Sequence, residues 1–257
     1  MPRIYRQESP TGYYHVMTRG INKDKIFRYE SDKKYLLKII VEKNREVFCN
    51  IYSYCIMDNH LHLLIEGSID DLSLLMKKVN SSYAFYYNSK NNRIGPVFQD
   101  RFKSEIIFND EHFLCVLRYI HNNPVKANMV SKAEFYNRSS MKEYIEGENH
   151  IITRDALEIV NINFKTIDNF IEFHQIEDEN DYLEVVEELM INKDEYGKRI
   201  VSRYLEQVKI DTVEELKNKD ELIIRLLEEE KFSYREIGKL VRCSVGKVAN
   251  MNKVLRP

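Results

Sequence analysis

Over its first 126 residues the chain changes hydrophobic period repeatedly, and that rhythm restricts its fold more than any other feature. Tyr13 to Thr18 (YYHVMT) alternates as a strand does and stops at Arg19-Gly20. After Ser31-Asp32, read as a helix cap, Tyr35, Leu36, Ile39, Ile40 and Val47 repeat at 3.6 residues. Asn50 to Met57 and His60 to Ile65 are two more strands, and Asp58-Asn59 between them is turn chemistry, so they form a hairpin. Leu72, Leu75, Met76, Val79, Tyr83 and Tyr86 mark a second amphipathic helix. Val97 to Phe108 reads as extended. A helix then opens at Asp110-Glu111 and runs through Leu114, Leu117 and Ile120 toward Asn123-Pro124. Strand, helix, strand, strand, helix, strand is a split βαβ order. It predicts an α+β, ferredoxin-like antiparallel sheet with helices on one face, followed by one extra helix.

The remaining sequence has another character. Beyond about residue 150 it is rich in Glu and Lys and mostly helical in pattern. Charge divides in the same region. The chain has 39 basic and 41 acidic residues, and the first 130 residues hold 19 of the basic and 14 of the acidic ones. Total charge argues against a nucleic-acid partner, but the basic excess of the first half argues for one. No apolar run reaches 18 residues, and Met1 to Pro10 lacks an apolar signal core. The expectation is a cytoplasmic, nucleoid-associated protein of prokaryotic type with no membrane partner. The four cysteines (Cys49, Cys55, Cys115 and Cys243) form no paired motif and read as small reduced hydrophobes.

Two constellations could carry chemistry. On a strand, His60 and His62 point to one face and Leu61, Leu63 and Ile65 to the other. Adjacent imidazoles on one sheet face are natural ligands for a divalent cation. The plainer alternative is two half-exposed histidines on a polar face. Tyr119 and Asn123, four apart, share one helix face. Asn123 precedes Pro124, so it is expected at the frayed end of that helix. The plainer alternative is a core tyrosine and a turn-forming asparagine. His121 lies two residues beyond Tyr119, faces elsewhere and is given no role.

Taken together, HLHLLI, FQDRFKS and YIHNNPVKANMV, in that order and spacing, resemble the single-tyrosine HUH transposases, the insertion-sequence and REP-associated transposase family. YHVMTRGINKDKIF, YCIMDNHLHLLI, Ser139-Ser140 and Tyr144 fit the same resemblance, which covers about residues 5 to 145. The resemblance implies that Tyr119 is a nucleophile toward a DNA phosphodiester. It implies that His60, His62 and Asn123 bind a divalent metal, Mg²⁺ or Mn²⁺. The implied enzyme cleaves single-stranded DNA and transfers the strand through a covalent 5′-phosphotyrosine. The other reading is a non-catalytic nucleic-acid-binding regulator that keeps the fold.

The implied partner is single-stranded DNA with a hairpin or repeat sequence, met by a monomer or a homodimer. Arg19, Lys23, Lys25, Lys77, Lys78, Arg93, Arg101 and Lys103 are candidate phosphate contacts, with aromatic neighbours available for base stacking. Arg101 and Lys103 alternate around Phe102 and are expected on one sheet face. Ser233-x-x-Glu236 is a capping box, and Ser244 caps the next helix. That pattern predicts a helix-turn-helix-like tail, with Lys247 and Asn250 on its DNA-facing side. The expected organisation is a catalytic domain over 1–145, an acidic helical connector over 146–215 and the helix-turn-helix-like segment over 216–257.

Overall fold

The computed structural model describes residues 8–176, 193–229 and 232–255. It divides into two compact units, 1–183 and 184–257. The first contains the sheet, made of β1 (Tyr13–Arg19), β2 (Asn50–Ile56), β3 (His60–Glu66) and β4 (Lys103–Ile106). The strand order is β2-β3-β1-β4 and every pairing is antiparallel, so the sheet has the ferredoxin-like arrangement read from the element order. Helices α1 (Glu30–Asn44) and α2 (Ile69–Lys90) pack against each other. They cover the face that carries Leu61, Leu63, Ile65, Tyr14 and Val16, all buried. The extra helix, α3 (Asp110–Lys126), lies against β2 and β3 on the opposite face.

Three local expectations need correction. Ser31 and Asp32 do not cap α1. Tyr29 occupies the cap position without a side-chain bond, and Asp32 is buried in the first turn. Its carboxylate is taken up by α2, where it accepts from Tyr86 Oη at 2.9 Å and pairs with Lys90. Val97 to Phe108 is strand only over Lys103–Ile106. Before that, Ile21 N donates to Val97 O and Gln99 N to Arg19 O, so only an isolated bridge extends the pairing. Arg101 therefore precedes the strand and does not share a sheet face with Lys103. The helix also does not fray at Asn123. Pro124 lies inside α3, where it lacks the N–H that would bond the carbonyl of Ile120. Burial of Pro124 and Asn123 holds the final turn in place, and Ala127 N closes it on Asn123 O at 3.0 Å.

The first unit continues past residue 145. The stretch from Arg138 to Thr153 runs along the outer edge of β2 and gives its backbone partners. Ile56 N donates to Arg138 O, Ser140 N to Tyr54 O and Thr153 N to Ile51 O, at 2.7–2.9 Å. An edge that would otherwise invite strand addition is thereby closed. Helices α4 (Met141–Glu146), α5 (Arg154–Asn163) and α6 (Ile167–His174) follow, and Tyr144, Ala156, Val160 and Phe170 join the main core. Residues 146–176 thus belong to the first compact unit rather than to a separate connector.

The second unit has its own core, built from α7 (Lys193–Val208), α8 (Asp220–Glu228), α9 (Tyr234–Val241) and α10 (Val245–Leu255). Ser233 and Glu236 form the capping box in both directions, and Lys247 N donates to Ser244 Oγ at 3.3 Å. Between α9 and α10, Arg242 adopts a left-handed conformation and Cys243 N bonds Gly238 O at 2.9 Å. A Cβ on Gly238 would sit 3.0 Å from Cys243 O, so a side chain there would crowd this tight turn.

A buried polar network joins α3 to α4 and α6. His121 Nε2 lies 2.7 Å from Ser140 Oγ, and His121 Nδ1 lies 2.8 Å from His174 Nε2. Phe170 O accepts from His174 Nδ1 at 2.7 Å. Burial holds His174 down to about 4, opposed by the Phe170 carbonyl and aided by Arg118, and burial also holds His121 well below its ordinary range. An unfolded histidine takes a proton near 6.5, so the unfolded chain binds protons that the native chain refuses. Stability of the first unit should fall as pH drops from about 6.5 toward 4, with His174 contributing about 2–3 kcal/mol of the loss. Urea unfolding across that range checks this. His174→Phe should flatten the dependence, and equal slopes in the two proteins would contradict it.

Candidate functional site

The register of β1 against β3 assembles the polar face. Arg19 stands opposite His60, Met17 opposite His62 and His15 opposite Leu64, so His60, His62 and His15 share one face. β4 adds Glu105 opposite His15. Helix α3 crosses over this face and brings Tyr119 and Asn123 down onto it, one turn apart. His60, His62, Tyr119 and Asn123 are all buried, the most exposed at 5%. The half-exposed histidines of the plainer alternative are therefore not what the fold makes.

The side chains converge. His60 Nε2 is 3.4 Å from Asn123 Oδ1, and the rings of His60 and His62 meet edge to face at 4.8 Å. Tyr119 has its ring 5.7 Å from those of both His62 and His15. The Nδ1 atoms of both histidines are occupied: His60 Nδ1 bonds Asn59 Oδ1 at 2.6 Å and His62 Nδ1 bonds His15 Nε2 at 2.9 Å. Each imidazole is thus held by its Nδ1, as metal-binding histidines commonly are. Among the described residues no three His, Cys, Asp or Glu side chains are grouped to hold a metal, and the group that faces His60 Nε2 is the Asn123 carboxamide. Two neutral imidazoles and an amide oxygen fit a divalent cation that keeps other positions for water or substrate oxygen, as Mg²⁺ and Mn²⁺ do.

Tyr119 also borders an open pocket of about 510 Å³, with Arg118, Lys126, Lys132 and Glu134 among its walls. Lys126 Nζ lies 4.9 Å from the centre of the Tyr119 ring. Lys126 is seven residues after Tyr119, a spacing that puts both on one helix face, so the signal was present in the sequence. His15 and Glu105 were also missed, and nothing local marks them. Only the pairing of three strands brings them beside His62.

The candidate phosphate contacts are dispersed. Arg19 is buried at the end of β1. Lys23, Lys25, Lys77 and Arg101 are exposed. Lys25 lies 3.6 Å from Asp58, Lys78 pairs with Glu46, and Arg93 lies 4.0 Å from Asp24 and stacks 5.5 Å over Tyr87. Lys103 is half-buried on β4. In the second unit Asn250 is exposed, while Lys247 forms an ion pair with Asp220 of α8 at 2.8 Å.

The sequence profile of the IS200-like transposases matches residues 9–123, which include both histidines, Tyr119 and Asn123. Over these residues the chain is similar to the IS200-like transposase family. Among solved structures, a REP-associated tyrosine transposase bound to a REP hairpin is 17% identical. The match covers 57% of this chain and 86% of that one, with a TM-score of 0.49. A Deinococcus radiodurans R1 structure assigned to the transposases is 14% identical, covering 48% of this chain and 95% of that one, with a TM-score of 0.33. No curated protein matches the chain. The transposase profile ends at Asn123, so the edge-sealing segment, α4 to α6 and the whole second unit lie outside it. No described helix is long and apolar enough to cross a membrane.

Proposed function

We propose that the first unit is a metal-dependent single-stranded DNA endonuclease and strand transferase that uses Tyr119 as its nucleophile. The observation that carries this reading is the convergence of His60, His62 and Asn123 beside the Tyr119 ring under one helix. Similarity to a transposase family over residues 9–123 makes DNA processing the frame for that geometry.

His60, His62 and Asn123 would hold Mg²⁺ or Mn²⁺. A divalent cation bound there supplies Lewis-acid polarisation of a non-bridging phosphate oxygen. The protein's own part is positional. α3 fixes Tyr119 at the edge of the site, and burial of its ring against His15 and His62 leaves little rotamer freedom. The Tyr119 oxygen attacks phosphorus, the bond from phosphorus to the 3′-oxygen breaks, and the departing 3′-oxygen takes up the proton that the phenol gives up. The products are a 5′-phosphotyrosine and a free 3′-hydroxyl, and the reverse attack by a 3′-hydroxyl restores a phosphodiester with no external energy source. Lys126 and Arg118, on the pocket side of Tyr119, are suited to neutralising phosphates of the bound strand. The hairpin or repeat preference, and groove reading through Lys247 and Asn250, belong to this proposal too. Lys247 would first have to exchange Asp220 for a phosphate.

Incubation of the full chain with labelled single-stranded DNA from its own flanking repeats, in Mn²⁺, should give an adduct that survives denaturation. Tyr119→Phe and EDTA should each abolish it. Adduct formation or cleavage by Tyr119→Phe at the wild-type rate overturns the nucleophile assignment. Lys126→Met should weaken binding uniformly across sequences and lower the slope of log affinity against log salt by roughly one. An unchanged slope, read by fluorescence anisotropy, removes Lys126 from the phosphate contacts.

A further inference from the structure

Three neighbouring strands place one carboxylate and two imidazoles in a row. Glu105 on β4, His15 on β1 and His62 on β3 lie on the same face, with His15 in the middle. The spacings are 3.4 Å from Glu105 Oε2 to His15 Nδ1 and 2.9 Å from His15 Nε2 to His62 Nδ1. His15 and His62 have no exposed surface, while the Glu105 side chain keeps 31% of its own.

The geometry points to Glu105 and His15 as positioning residues that fix the tautomer of His62. An ionised carboxylate can only accept a hydrogen bond, so His15 must donate from Nδ1. A neutral imidazole with its proton on Nδ1 has a lone pair on Nε2, so His15 accepts from His62 Nδ1. His62 then carries its single proton on Nδ1 and keeps its Nε2 lone pair for the site shared with His60 and Asn123. The direction is set at the rim of the sheet by Glu105 and passed inward through His15. The opposite tautomer of neutral His15 would set its Nδ1 lone pair against the carboxylate. An unconstrained imidazole in water favours the proton on Nε2, which would block ligation there. His60 is oriented by Asn59 instead, so the two ligands answer to different supporting residues.

This inference rests on the metal reading proposed above, and its first test uses neither metal nor DNA. In the metal-free full chain labelled with ¹⁵N-histidine, long-range proton–nitrogen correlation should show His62 protonated on Nδ1, with the resonance assigned by its loss in His62→Gln. His15→Phe keeps a flat ring but removes the acceptor, and should move His62 toward the Nε2 proton. His15→Gln restores an acceptor oxygen and should return it. Titration with Mn²⁺ alone should follow the same order: roughly a 10–100-fold loss for His15→Phe and recovery in His15→Gln. Glu105→Gln can donate as well as accept, so it should give a mixed tautomer and an intermediate affinity. This variant keeps the test open if His15→Phe does not fold. A wild-type His62 protonated on Nε2 overturns the inference, and so does a Glu105→Gln protein with wild-type tautomer and affinity. Failure of the Tyr119 adduct experiment would leave these measurements untouched, so the two readings fail separately.

Discussion

Burying a polar sheet face under a helix is the constraint from which most of this structure follows. The face that α3 covers carries His15, Ser53, His60 and His62. Polar groups taken out of water without partners cost free energy, about 1–3 kcal/mol each in mutational series. The partners come from every neighbouring element: Glu105 from β4, Asn59 from the hairpin turn, Ser140 beside α4, and His121 and Asn123 from α3. A greasy helix could not lie here. α3 is amphipathic in an unusual sense, with Val116, Leu117 and Ile120 in the core and polar His121 and Asn123 equally buried.

The same helix divides that face into two networks. On one side of α3, Tyr119 and Asn123 meet the histidines of β3. On the other, His121 meets Ser53, Ser140 and His174. The step of two residues from Tyr119 to His121, and again from His121 to Asn123, turns the helix by about 200°, so His121 faces away from the other two. The second network ties α4 and α6 to the sheet, and the stretch from Arg138 to Thr153 seals the edge of β2. Residues outside the transposase profile thus hold the helix that carries Tyr119.

Much of the fold is legible because periodicity is a local property. Antiparallel order, the hairpin, both helices on the apolar face and the capping box at Ser233 follow from alternation, turn residues and capping chemistry within a few positions. Sequence and structure part where a side chain chooses a distant partner. Asp32 reads as a cap because Asp caps helices in general, yet its carboxylate is bound to Tyr86 and Lys90 at the far end of α2. Asn123 reads as frayed because residues before proline usually leave the helix, yet burial keeps that turn closed. Charge counting makes Arg19, Lys25 and Lys78 candidate phosphate contacts alike, and only the fold shows that Arg19 is buried and that the other two pair with carboxylates.

The sequence by itself determined the strand and helix order, the pairing of His60 with His62 on one face, the pairing of Tyr119 with Asn123 on one helix, and the family resemblance those blocks carry. All of these depend on spacings of two or four residues, which backbone geometry converts directly into a shared face. Tertiary structure alone decided that the two pairs meet, that they meet out of water, and that His15 and Glu105 stand behind His62. Those facts depend on strand register and on the placement of α3, which are set by the packing of segments about 45 to 90 residues apart. No local pattern records them, because the energy that fixes them is the burial of the sheet's two faces as a whole.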